Sequence, residues 1–167
     1  MGRKDYNNFH EFIIKLQNRV HVLLIFPVML FVYLFIRIEN YRFHAFLINR
    51  DLRFLVRSSA ALLTFSIIGI IMIYFTVQIR KIRKLEGLRP KLDRYYSVSL
   101  TRHYWLMAPL LINLAGMALT AEKFYTIFFG ISLVVMLSDY PAHARIMNTL
   151  DLDREESELA MSKETLD

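Results

Sequence analysis

Apolar side chains are gathered into four long runs along the chain, and the polar positions lie almost entirely between and beyond these runs. The runs cover residues 20–38, 54–79, 104–121 and 124–140. Each is about as long as the roughly 20 residues that a helix needs to cross a bilayer. The pattern therefore predicts four membrane-spanning helices rather than the amphipathic helices of a soluble protein.

The composition agrees with this prediction. Hydrophobic residues make up 55% of the 167 positions, yet 22% are charged, and the charges are concentrated in connections and tails. The chain has no cysteine, which excludes disulfides and thiolate metal sites. The first apolar run starts too late and is too long for a signal peptide, so we expect it to remain as a helix.

The distribution of Lys and Arg predicts the topology. If the N-terminus, the connection between the second and third runs, and the C-terminus share one side, that side holds fifteen basic residues and the other holds six. Basic residues near helix ends stay preferentially in the cytoplasm. The expected fold is thus an all-α integral membrane four-helix bundle with both termini cytoplasmic, most simply in a bacterial inner membrane.

The polar segments divide the chain further. Residues 1–19 read as an interfacial amphipathic segment, residues 20–140 as the four-span domain and residues 141–167 as an acidic cytoplasmic tail. The second run continues with helical character until Gly87 and Pro90. We therefore expect the second helix to extend into the cytoplasm as a basic stalk, followed by a polar connection within residues 80–103.

The stalk and connection carry the strongest charge feature of the sequence. The candidate contacts to lipid or to a partner are Arg80, Lys81, Arg83, Lys84, Arg89, Lys91 and Arg94. Such clusters attract anionic lipid headgroups by about 1 kcal/mol per charge. The acidic tail or an acidic patch on a partner could also bind them, or they could serve only to hold the connection inside. Nucleic acid is not expected, because no recognition fold surrounds the cluster.

Polar side chains near and within the runs are the other candidates. His21, His103 and His143 each border the inner end of a predicted span. Histidines on facing helices can ligate haem, and a quinone could bind beside His103, Tyr104 and Trp105. The simpler interpretation is that all three histidines are interfacial side chains, so no cofactor and no metal site is assigned. Asn113 lies deep in a run, where an interhelical hydrogen bond is favoured over contact with a substrate or ion.

No motif typical of an enzyme occurs in the sequence, such as a phosphate-binding loop, HExxH or a nucleophile elbow. We therefore expect a non-catalytic integral membrane subunit or scaffold of a larger complex, whose partners are membrane lipids and other integral subunits. One alternative is a redox anchor that binds haem or quinone. Another is a small self-associating transporter or channel, although no run has a carboxylate near its middle.

Overall fold

The computed structural model describes residues 6–40 and 43–161 of the chain. The fold is all-helical, with 82% helix, and the described residues contain no strand. The helices are α1 (Phe9–Glu39), α2 (Arg50–Ile82), α3 (Leu88–Thr120), α4 (Tyr125–Ser138), α5 (His143–Leu150) and α6 (Arg154–Met161). The prediction of an all-α protein is confirmed.

Two of these helices, α1 and α2, are long and apolar enough to cross a membrane. They contain 31 and 33 residues, and only 22% and 17% of their most apolar windows are buried within the protein. Their outward surfaces therefore consist largely of aliphatic and aromatic side chains, which water would not solvate favourably. This arrangement indicates an integral membrane protein, as the apolar runs predict.

The remaining two predicted spans differ from the expectation. The 14 residues of α4 reach only about 21 Å, against about 30 Å of hydrocarbon. Helices α4 and α5 would count as a third candidate span if taken together, but they are bent by 77°. Within the described residues, α3 is not a candidate span. The structure thus supports two or three spans and does not establish a four-span bundle.

The segment expected to be a polar connection is instead the first half of α3. Gly87, with φ of 85°, makes the turn after α2, and Pro90 falls in the first turn of α3, where its missing N–H is harmless. From Leu88 onward, apolar side chains recur at intervals of three and four residues and form a buried stripe. Burial of that stripe stabilises a helix in spite of the many charges around it.

The described chain divides into two compact units. Unit 1 comprises residues 6–21, Ile73–Arg102 and 140–161. Its core is formed by aromatic and aliphatic side chains from the segment before α1 and from α1, α2, α3, α5 and α6. The members of this core are Tyr6, Phe9, Phe12, Ile13, Leu16, Ile79, Ile82, Leu88, Leu92, Tyr95, Val98, Ile146, Leu150 and Ala160.

Unit 2 comprises Val22–Met72 and His103–Asp139. Helix α3 presents a second buried stripe here, which includes Leu106, Leu110 and Met117. The ring of Tyr125, at the start of α4, lies so close to α3 that a Cβ at Gly116 would overlap it. Glycine at this position is therefore what allows α3 and α4 to approach each other.

Candidate interaction sites

The basic residues singled out in the sequence lie at the end of α2, in the turn that follows it and in the first turns of α3, all in unit 1. Those whose side chains are exposed are Arg80, Lys81, Arg83, Lys84 and Arg94. Arg89 is half-buried, with its guanidinium carbon 5.7 Å from the centre of the Tyr6 ring. Lys91 is buried. The cluster is therefore not one uniform surface, since at least two of its cations are held by the protein itself.

Lys91 pairs with Glu156 of α6, and this pair joins the basic connection to the acidic tail. The Nζ atom of Lys91 donates to both carboxylate oxygens, at 2.7 Å for Oε1. The two side chains are only 9% and 10% exposed. The ammonium of Lys91 is thus directed at the chain's own tail in this structure, and we leave it out of any surface offered to lipid or partner.

Helix α6 begins with a reciprocal capping arrangement that holds Glu156 in position. The backbone N–H of Glu156 donates to Oδ1 of Asp153 at 2.9 Å, and the N–H of Asp153 donates to Oε2 of Glu156 at 3.3 Å. This capping box satisfies two donors at the helix start. Glu156 therefore both starts α6 and fastens it to α3.

Two exposed bases, Arg83 and Arg145, lie at a shallow hollow between the turn after α2 and helix α5. Arg83, Arg145, Asn148 and Thr149 line it, and Nε of Arg83 donates to the carbonyl oxygen of Thr149 at 2.9 Å. That bond places a cation at the last turn of α5, where the helix dipole favours positive charge. We refer to Arg80, Lys81, Arg83, Lys84 and Arg145 as the basic surface.

The N-terminal segment is fastened to α3 through Tyr6. Its hydroxyl donates to Oδ1 of Asp93 at 2.8 Å, and its ring packs edge-on against Phe12. Burial, and then the hydrogen bond to Asp93, raise the pKa of Tyr6 well above its usual value of 10.0. The phenol stays protonated and keeps its hydrogen bond throughout the physiological pH range.

The three candidate histidines have separate surroundings. In unit 1, exposed His21 lies 3.0 Å from the hydroxyl of Tyr140, and the ring centre of His143 is 5.1 Å from that of Phe9 and 5.9 Å from that of His10. Burial, followed by the charge of nearby His10, lowers the pKa of His143. In unit 2, His103 is 1% exposed. The described residues contain no group of three His, Cys, Asp or Glu side chains that could hold a metal ion.

Asn113 of unit 2 is 1% exposed and joins two helices. Its Nδ2 donates to Oγ1 of Thr64 on α2 at 2.9 Å and to the carbonyl oxygen of Pro109 at 2.7 Å. This is the interhelical hydrogen bond that the sequence favours for this position. The bond ties α2 to α3 between two side chains that are almost fully buried.

Two buried charged residues went unnoticed as interaction sites in the sequence. Arg102 is 2% exposed, and its guanidinium carbon lies 4.0 Å from the centre of the Phe75 ring. Glu156 belongs to the acidic tail that the sequence offers as one possible partner of the basic residues, but the sequence does not single it out within that tail. Both had a local signal, because Arg102 continues the three-and-four spacing of Tyr95 and Ser99, and Glu156 follows Asp153 by three residues as in a capping box.

The fold thus combines apolar helices able to span a membrane with a helical unit that displays a basic surface. No protein-family model, no curated protein and no solved structure matches this chain.

Proposed function

We propose that the protein is a non-catalytic integral subunit or scaffold of a larger membrane complex. It lies in a bacterial inner membrane, with both termini and the basic segment 80–103 in the cytoplasm. Its partners are other integral subunits and membrane lipids, including anionic headgroups. The observation that carries the proposal is that unit 1 has its own core and displays a basic surface around it.

The core of unit 1 gives that surface a defined shape. Phe9, Phe12 and Tyr95 are almost fully buried and contact one another or their neighbours through their rings. Side chains borne on packed helices lose less conformational entropy on binding than those of a disordered tail. A partner with an acidic patch would therefore find Arg83 and Arg145 already positioned beside the hollow that they line.

The apolar surfaces of α1 and α2 support a location among lipids or neighbouring helices. On α1, Val22, Phe26 and Met29 are each more than 60% exposed, and Leu62 and Ile70 of α2 are similarly open. Contiguous exposed apolar surface of this kind is typical of membrane or protein interfaces. In a bilayer it would be covered by acyl chains or by the helices of another subunit.

Affinity purification from native membranes in mild detergent tests the proposal. We expect the wild-type chain to recover a second protein in stoichiometric amount. The triple variant Arg80→Glu/Lys81→Glu/Lys84→Glu should lose it, because like charges would then oppose the acidic partner. The matched control Arg80→Lys/Lys81→Arg/Lys84→Arg keeps every charge and should retain the partner.

Two further measurements make the result decisive. Reporter fusions at both termini must show the same cytoplasmic location for the variant and the wild type, because the substituted bases also influence topology. Recovery of the chain alone as a monodisperse oligomer would contradict the proposal and favour a self-associating transporter or channel. A visible absorption spectrum with haem bands would instead favour the redox anchor.

A further inference from the structure

A pocket in unit 2 has the composition of a binding site for a charged ligand. It lies between the start of α2 and the turn that joins α3 to α4, and it encloses about 490 Å³, within the roughly 300–1,000 Å³ of small-ligand pockets. Its lining residues are Ile48, Arg50, Arg53, Phe54, Arg57 and Glu122. Three arginines therefore share one concave surface.

The arginines are held by neutral groups rather than by acids. Nε of Arg53 donates to the carbonyl oxygen of Leu47. The guanidinium of Arg57 lies 5.0 Å from the centre of the Phe124 ring. In the described part of the chain, Arg50, Arg53 and Arg57 form no ion pair. Two of the three charges are thus oriented, and all three remain available to an anion.

Glu122 gives the pocket an acceptor for a hydrogen-bond donor, in addition to the arginines that can bind an anion. Its Oε2 atom is buried but accepts no hydrogen bond from any described residue. A buried carboxylate oxygen without a donor is costly, and because Glu122 lines the pocket, rotation of its carboxylate towards a donor on a ligand would relieve that cost. An anion without such a donor would leave this oxygen unpaired.

We propose that this pocket binds a phosphate group with a neighbouring primary ammonium, as in phosphoethanolamine. The planar guanidinium groups match phosphate oxygens in pairs, and the ammonium donates to Glu122. The large apolar side chains of Ile48 and Phe54, 85% and 62% exposed, stand beside the charged groups. That arrangement suits a headgroup with acyl chains, so phosphatidylethanolamine is the expected source, and a soluble phosphoethanolamine shares the same chemistry.

Native mass spectrometry of the delipidated full-length protein tests the assignment. The probes are phosphatidylethanolamine and phosphatidylglycerol with identical acyl chains, free phosphoethanolamine and inorganic phosphate. We expect phosphatidylethanolamine to bind at least about tenfold more tightly than phosphatidylglycerol, because only the former supplies a charged donor to Glu122. The comparison uses the wild-type protein, so it does not depend on the folding of any variant.

Variants then assign the two halves of the headgroup. Glu122→Gln should abolish the preference between the two lipids while keeping affinity for phosphatidylglycerol. Arg50→Gln, at an exposed position, should weaken both lipids by about tenfold. The matched control is Arg154→Gln, an exposed arginine of α6 that lies outside both the pocket and the basic surface, and it should change neither affinity.

The probes also separate the two sources of the ligand. Tighter binding of phosphatidylethanolamine than of free phosphoethanolamine supports the lipid, and equal binding supports the soluble compound in the same pocket. Equal affinity for the two lipids in the wild-type protein, or binding of inorganic phosphate as tightly as phosphatidylethanolamine, would overturn the assignment. Failure of all four probes to bind would overturn it as well.

Discussion

The variant Glu156→Gln isolates the charge of the buried pair between α3 and α6. Glutamine preserves the length of the side chain, and its carbonyl oxygen can still accept the N–H of Asp153 in the capping box. What it removes is the negative charge that faces Lys91 at 2.7 Å in a site where both side chains are about one-tenth exposed. The substitution therefore tests whether the tail is held by an ion pair.

Leaving a cation buried without its partner costs about 3–5 kcal/mol. Unit 1 can avoid that cost by releasing α6, whose described contribution to the core is Ala160. One small side chain adds only about 1 kcal/mol of apolar burial. In the variant, α6 should therefore detach from unit 1 rather than leave Lys91 buried without its partner. We expect α6 to open about 100-fold more often, which corresponds to about 2.8 kcal/mol.

Hydrogen–deuterium exchange of the full chain in detergent measures this opening directly. Peptides covering Arg154–Met161 should exchange about 100-fold faster in Glu156→Gln, whereas peptides from Leu88–Thr120 should keep their protection. The control Glu158→Gln removes an exposed pair, in which Arg154 is 93% and Glu158 is 66% exposed, and should change exchange little. The double variant Lys91→Met/Glu156→Leu should restore most of the protection, because apolar side chains can replace a buried ion pair. If Glu156→Gln exchanges like the wild type, the pair does not hold α6 and the reasoning is wrong.

Three other predictions follow from particular contacts. Gly116→Ala should destabilise the protein by about 1–3 kcal/mol through overpacking against the neighbouring ring, whereas Gly130→Ala, whose Cβ would meet nothing within 4 Å, should be neutral or stabilising; denaturant titration in detergent compares them. Thr64→Val should cost about 0.6 kcal/mol, and at most about 1.7, by removing an interhelical hydrogen bond; no loss in the same titration would contradict this. His143 should titrate below pH 6.5 by NMR, and His10→Ala should raise that midpoint. Because the fold favours the neutral form of His143, the contribution of this residue to folding stability is present above pH 6.5 and is lost as the pH falls through the folded pKa. An unchanged midpoint in His10→Ala would refute the effect of His10 on His143.

The apolar helices were largely predictable, because their signal is local. The runs 20–38 and 54–79 lie within α1 and α2, both of which are able to span a membrane. The predictions for the third and fourth spans rely on the same signal, which is weaker in α3 and shorter in α4. Asn113 and Pro109 interrupt the apolar character of α3, and α4 is shorter than the hydrocarbon core requires.

The first half of α3 carries many charges, which favour a polar connection, but the spacing of its apolar side chains favours the helix that the structure contains. Leu88, Leu92 and Tyr95 already stand on one helical face in the sequence. The sequence does not show which element covers this apolar face, and an amphipathic helix gains stability only when another element covers it. That cover comes from the start of α1, the end of α2 and the short helices α5 and α6.

By itself, the sequence determined that the chain is helical and that parts of it are suited to a bilayer. Those properties depend on the composition of each segment and on the fixed repeat of a helix, and neither needs a distant partner. Only the tertiary structure decided that Lys91 faces Glu156, while Arg80 and Lys81 remain exposed. These lysines and arginines are chemically similar, and the sequence does not distinguish them. Whether each is buried in an ion pair or exposed depends on which helix packs over it.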